Sequence, residues 1–127
     1  MKITRDLLHK LPKVELHCHL DGCLRIPTII DLAQRNKVDL PSTDEEQLRS
    51  ILSVGKKRGT LKDYIRRFDI TLSVMQTPKS LTRTAYELAE DAASENVRYI
   101  EIRYSPILHT QKDMTPSDSV KAVMKGL

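Results

Sequence analysis

Apolar and polar positions alternate between Lys13 and Leu20: Val14, Leu16, Cys18 and Leu20 interleave with Glu15, His17 and His19, the period of two that a strand imposes. Asp21-Gly22 then supplies a turn signal. A second alternating run spans Val97 to Ser105 and is bounded by Pro106, with Ile100, Ile102 and Tyr104 on one face and Tyr99, Glu101 and Arg103 on the other. The rest of the chain carries helical spacing. A weak helix over residues 4–10 ends at Pro12. Pro27 opens a helix through Ile29, Ile30 and Ala33, and Asp44 to Leu52 gives a short one. Thr60 with Asp63 three residues on forms a capping-box pattern before Leu61, Tyr64, Ile65, Phe68 and Leu72. Thr77-Pro78 starts a helix that runs to Asn96, and Thr115-Pro116-Ser117-Asp118 starts the last one. Strand, helices, strand, helix is the order of a parallel α/β sheet. Two parallel strands do not enclose a core by themselves.

Composition narrows the class. At 127 residues, 39% hydrophobic and 30% charged, the chain is too apolar for a disordered segment, too charged for a membrane one, and too short for a complete (β/α)8 barrel of about 250 residues. Its net charge is only +4, and with one Phe, four Tyr and no Trp it lacks the basic, aromatic-studded stripe of a nucleic-acid binder. Lys56-Lys57-Arg58 reads as a solvated loop. No secretory leader and no run of about 18 apolar residues is seen, so no membrane partner and a cytoplasmic location are expected. In that compartment Cys18 and Cys23 are expected as reduced thiols.

The informative stretch is Glu15-Leu16-His17-Cys18-His19-Leu20-Asp21-Gly22. On a strand, His17 and His19 project to one face and Asp21 continues the row, while Val14, Leu16, Cys18 and Leu20 turn to the helices. Two neighbouring neutral imidazoles at the end of a strand suit a divalent metal such as Zn2+, with open coordination left for water. The competing reading is a pair of buried histidines satisfied by their neighbours. Alternation turns Cys18 away from the pair, which makes it a small buried hydrophobe. Cys23, beyond the turn, could approach the site, but a structural Cys/His zinc site lacks further ligands nearby. His9 and His109 stand alone and read as surface or loop histidines.

Lys13-Val14-Glu15-Leu16-His17-Cys18-His19-Leu20-Asp21-Gly22 resembles the first-strand motif of the adenosine deaminase family, zinc hydrolases of the amidohydrolase superfamily. Glu101-Ile102-Arg103-Tyr104-Ser105-Pro106 resembles that family's second-strand motif, and the similarity runs from Leu11 into the last helix. His-Cys-His-Leu-Asp alone also resembles TatD-type nucleases; the second motif separates the two. The resemblance implies that residues 1–127 form the N-terminal segment of a single (β/α)8 barrel domain, its first two parallel strands with flanking helices.

Position by position, the resemblance implies zinc ligation by His17 and His19, with His19 also beside the bound nucleoside. It implies that Asp21 accepts the ribose 5′-hydroxyl, a place usually held by Glu in relatives acting on free adenine or modified futalosine and by Asn in those acting on methylated nucleosides. The substrate implied is adenosine or 2′-deoxyadenosine, a small purine nucleoside, deaminated by hydrolysis at C6 in purine salvage. Leu61, Tyr64 and Phe68 match an apolar face at the mouth of the family's site, and on spacing alone simple core packing explains them as well. Glu101 and Arg103, beside Glu15, read as a buried, paired charge network. The family's third zinc histidine, its general-acid Glu and its late Asp have no counterpart in these residues. The 127 residues alone are therefore expected to be inactive, with the C-terminal remainder of the same polypeptide as a candidate partner. The readings kept beside this one are an adenine deaminase or nuclease of the same superfamily and a short non-catalytic protein that binds metal or a partner.

Overall fold

The computed structural model of the chain describes residues 2–53 and 60–127, with backbone alone at 61–64. The basic Lys56-Lys57-Arg58 run lies outside the described residues, and so do the side chains of Leu61, Asp63 and Tyr64. The elements follow the order read from the pattern: α1 (Arg5–Lys10), β1 (Lys13–His19), a 3-10 turn (Leu20–Gly22), α2 (Ile26–Asn36), α3 (Glu45–Leu52), α4 (Leu61–Val74), α5 (Pro78–Ser94), β2 (Val97–Arg103), a second 3-10 turn (Pro106–His109) and α6 (Pro116–Gly126).

Local chemistry sets most boundaries. Asp44, Thr77 and Thr115 each accept a backbone N–H from three residues on, which satisfies one of the free donors at a helix start. At Thr115 the box is closed by the Asp118 carboxylate, which accepts from the Thr115 N–H in return. Asn96 ends α5 with a positive φ of 61°, a conformation asparagine tolerates. Its carbonyl accepts from Lys13 N–H at 3.0 Å and its side-chain amide donates to the Lys10 carbonyl at 2.7 Å. One residue thus pins the starts of both strands together.

β1 and β2 pair in parallel as a two-stranded sheet. The core lies where α2, α3, α4 and α5 meet the C-terminal end of β1, around Leu20, Ile29, Leu48, Met75 and Leu81, all essentially inaccessible. Ile100, Ile102 and Tyr104 pack against it, as their alternation requires. α6 lies along α5, and Gly126 makes the close approach possible: a Cβ there would collide with the Thr82 carbonyl and lie 2.8 Å from Ala85 Cβ. A polar seam joins α2 to α5, with Arg25 bonded to Asp91 and Glu90, Thr28 to Glu87, and Arg83 to Asp31.

The face assigned to the first half of β1 needs correction. Val14 and Leu16 are 64% and 57% exposed and do not pack on the helices. The ladder is irregular between Lys13 and Val14 and again between Glu15 and Cys18, where β1 takes three residue steps against two on β2. Glu15 and His17, at the alternate positions, are exposed as well, so neither face of this half of the strand is covered among the described residues. Among the described residues no helix is long and apolar enough to cross a membrane.

Candidate metal and nucleoside site

β1 ends by delivering two imidazoles to one point. The Nε2 atoms of His17 and His19 lie 3.0 Å apart, with the rings tilted by 50°. Zinc bonds imidazole nitrogen at about 2.0–2.1 Å, so a tetrahedral ion sets two such nitrogens roughly 3.3 Å apart. The pair fits one small divalent cation. Among the described residues no group of three His, Cys, Asp or Glu side chains converges. Two imidazole nitrogens at one point are one fewer than the three protein ligands that a catalytic zinc takes.

The 3-10 turn that follows brings Asp21 back beneath the pair. Its side chain is nearly buried, and its Oδ1 stands 3.8 Å from His19 Nδ1. That oxygen is inaccessible and has no hydrogen-bond partner among the described residues. His19 thus faces His17 with Nε2, at hydrogen-bond distance, and has the Asp21 carboxylate near its Nδ1, beyond that distance. The turn lies against α4: a Cβ at Gly22 would make ordinary contact with Phe68 Cε1 at 3.4 Å and His19 Cβ at 3.8 Å.

A cavity of about 1150 Å³ opens at this turn, bordered by His19, Asp21, Arg49, Phe68, Leu72 and Leu108 among others. The structure thus brings together four of the residues singled out in the sequence, His17, His19, Asp21 and Phe68. Leu61 and Tyr64 lie on the first turn of α4 with their side chains outside the description. Cys23 also borders the cavity, and its sulfur is 3.4 Å from that of Cys18 as a thiol pair. Burial first, then the contact with Cys18, pushes the Cys23 thiol up to about 12.

Two expectations change. Glu101 and Arg103 do pair at 3.1 Å, but both are largely solvent-accessible, and Glu15 stands apart, accepting from the His17 backbone N–H at 3.0 Å. Arg103 also donates to the Leu16 carbonyl at 3.3 Å, so the pair braces one strand on the other instead of forming a buried network. Tyr99 joins it by donating to Glu101, whose charge raises the phenol's pKa. The second change is His109, which is fully buried although it follows a strand in a connecting segment. Pro106 starts a 3-10 turn, and three residues later that turn places His109 inward against Tyr104, with ring centroids 5.6 Å apart. Its Nδ1 lies 3.1 Å from the Met75 carbonyl, and burial holds its pKa below the usual 6.5. The Pro at the start of Pro106–His109 was the available signal.

The profile of the adenosine deaminase family matches residues 12–127. The chain belongs to the adenosine deaminase family. A curated adenosine deaminase of Clostridium perfringens is 45% identical over 120 residues, which is 94% of this chain and 36% of that enzyme. Among solved structures, a zinc-bound amidohydrolase from Burkholderia ambifaria superposes with a TM-score of 0.81 at 30% identity, over 99% of this chain and 34% of that one. An adenine deaminase from Arthrobacter aurescens gives 0.79 at 31% identity, over 91% and 34%. The deaminase-family chain spans about a third of the length of the relatives it matches. Its two parallel strands and flanking helices correspond to the N-terminal portion of the amidohydrolase barrel.

Proposed function

We propose that residues 1–127 are the N-terminal part of a single barrel domain whose full-length protein hydrolyses adenosine and 2′-deoxyadenosine to inosine and 2′-deoxyinosine with release of ammonia, in purine salvage. The observation that carries this reading is the convergence of His17 and His19 at the strand end where Asp21 borders a cavity roomy enough for a nucleoside, in a chain of this family. A divalent ion held by the two histidines supplies, when bound, a water acidic enough to serve as hydroxide near neutral pH.

The chain's own residues do the rest. Asp21 accepts a hydroxyl hydrogen of the ribose and keeps the sugar at one end of the cavity; its short side chain leaves room that a Glu would fill. Phe68 and Leu72 line the cavity with apolar surface against which a purine ring desolvates. The proton donor to the purine comes from the part of the barrel beyond these residues, so this portion binds and orients without completing the reaction.

The test uses the natural full-length protein. Adenosine is expected to turn over faster than adenine, with no cleavage of single-stranded DNA, and His17→Ala is expected to lose at least about a thousandfold in turnover together with bound metal. Wild-type-like turnover in that variant, or a natural gene product that ends at residue 127, overturns the reading. The likeness to an adenine deaminase supports a second reading, that free adenine is the substrate. A marked preference for adenine in the same assay would select it and remove the role given to Asp21.

A further inference from the structure

His109 is fully buried, and neither the histidine pair nor the cavity lining accounts for it. A carbonyl oxygen only accepts, so the 3.1 Å contact with Met75 assigns the ring proton to Nδ1. Burial disfavours the doubly protonated ring, which leaves Nε2 a lone-pair acceptor near neutral pH. That Nε2 is inaccessible and has no partner among the described residues. Asp21 Oδ1 is in the same condition, and the Asp21 charge acts on the His109 ring.

Two acceptors cannot bond to each other. A group that donates twice satisfies both, and water is the smallest that does. The Tyr104 hydroxyl is likewise buried without a partner, on a ring that stands against His109. It offers one hydrogen and two lone pairs, which completes the three partners a buried water usually has.

We propose that His109 is a positioning residue for substrate recognition: through a buried water shared with Asp21 and Tyr104, it holds the Asp21 carboxylate turned toward the nucleoside hydroxyl in the cavity. The turn that carries His109 is itself fixed without substrate. The buried Gln76 amide donates to the Leu108 carbonyl at 2.9 Å and accepts from the Gln111 N–H at 3.0 Å, clamping the segment on both sides of the histidine. His19 Nδ1 is the rival partner for the same Asp21 oxygen, but at 3.8 Å it is beyond hydrogen-bond length. This inference rests on the reading that Asp21 contacts the ribose hydroxyl, and the test separates the two.

Kinetics of the full-length protein are compared on adenosine and on 5′-deoxyadenosine, which lacks the hydroxyl. Wild type should favour adenosine. His109→Phe should lower kcat/KM for adenosine about tenfold, the equivalent of one ordinary hydrogen bond, through KM, with 5′-deoxyadenosine within about twofold of wild type. His109→Gln, which keeps a donor and an acceptor, should recover most of the loss. Equal losses on both substrates, or a loss confined to kcat, overturn the proposal and leave His109 a packing residue. If wild type treats the two substrates alike, the Asp21 reading itself fails and the proposal falls with it. Should Phe at position 109 prevent folding, Tyr104→Phe carries the test. An adenosine-only rise in KM of about threefold supports the shared water, and an unchanged KM overturns it.

Discussion

Val14 and Leu16 differ from Cys18 and Leu20 in environment, although all four occupy one alternating run. The first two are mostly exposed, while Cys18 packs against the core and Leu20 is fully buried within it. Side-chain chemistry does not separate the halves; what covers them does. α5 packs on β2 and on the turn after β1, and α4 packs on that turn as well. The helices therefore wrap the end of the strand that carries His19 and Asp21 and leave its beginning open. Rigidity is concentrated where the chemistry is placed, since a residue in the core cannot shift without disturbing several elements.

The comparison can be broken by truncating one position on each side. Leu20→Ala should cost about 3 kcal/mol of unfolding free energy, whereas Leu16→Ala should cost less than about 0.5 kcal/mol, read from urea denaturation of this chain by circular dichroism. Similar losses at the two sites would mean that the halves are equally packed. A smaller effect, about 2 kcal/mol, is expected for Gly126→Val, because the added atoms press on the Thr82 carbonyl and Ala85 where α6 meets α5. Thr115→Ala should cost about 1 kcal/mol, as it removes the hydroxyl that caps the Asp118 N–H at the exposed start of the same helix, while the backbone N–H of residue 115 can still donate to Asp118.

The smallest effect is with pH. Burial depresses the His109 pKa below 6.5, so between that value and the depressed one the unfolded chain binds a proton that the native chain does not. Stability should be fully present above about 6.5 and fall as the solution is acidified through this window. His109→Gln should flatten that part of the profile when unfolding midpoints are followed against pH. An unchanged slope would show that the acid sensitivity lies elsewhere.

Much of this was legible in the sequence because it is written in local chemistry. Thr77, Thr115 and Asp44 fix helix starts through bonds to residues three positions away, and Asn96 fixes an end through its own backbone conformation. His17, His19 and Asp21 could be grouped because strand and turn geometry carry them to one side over five residues. Exposure of Val14 and Leu16 was not legible, since alternation says which side chains share a face but not which elements cover that face. The burial of His109 was missed for a related reason. A histidine in a connecting segment looks polar and exposed until Met75, from a distant helix end, supplies the carbonyl that makes its burial tolerable.

Among the described residues, the single ladder between β1 and β2 leaves one edge of β1 without a strand beside it. In a closed ring of parallel strands such as the family's barrel, that edge is met by the strand farthest away in sequence, the contact of greatest span the fold contains. Closing so large a loop adds only logarithmically to the entropic cost, yet non-local pairings dominate folding times. The helical layer, built from neighbours, can assemble early. In a ring so closed, the strand that carries His17 and His19 would be the seam, and completion of a site at its end would be timed by closure of the whole domain.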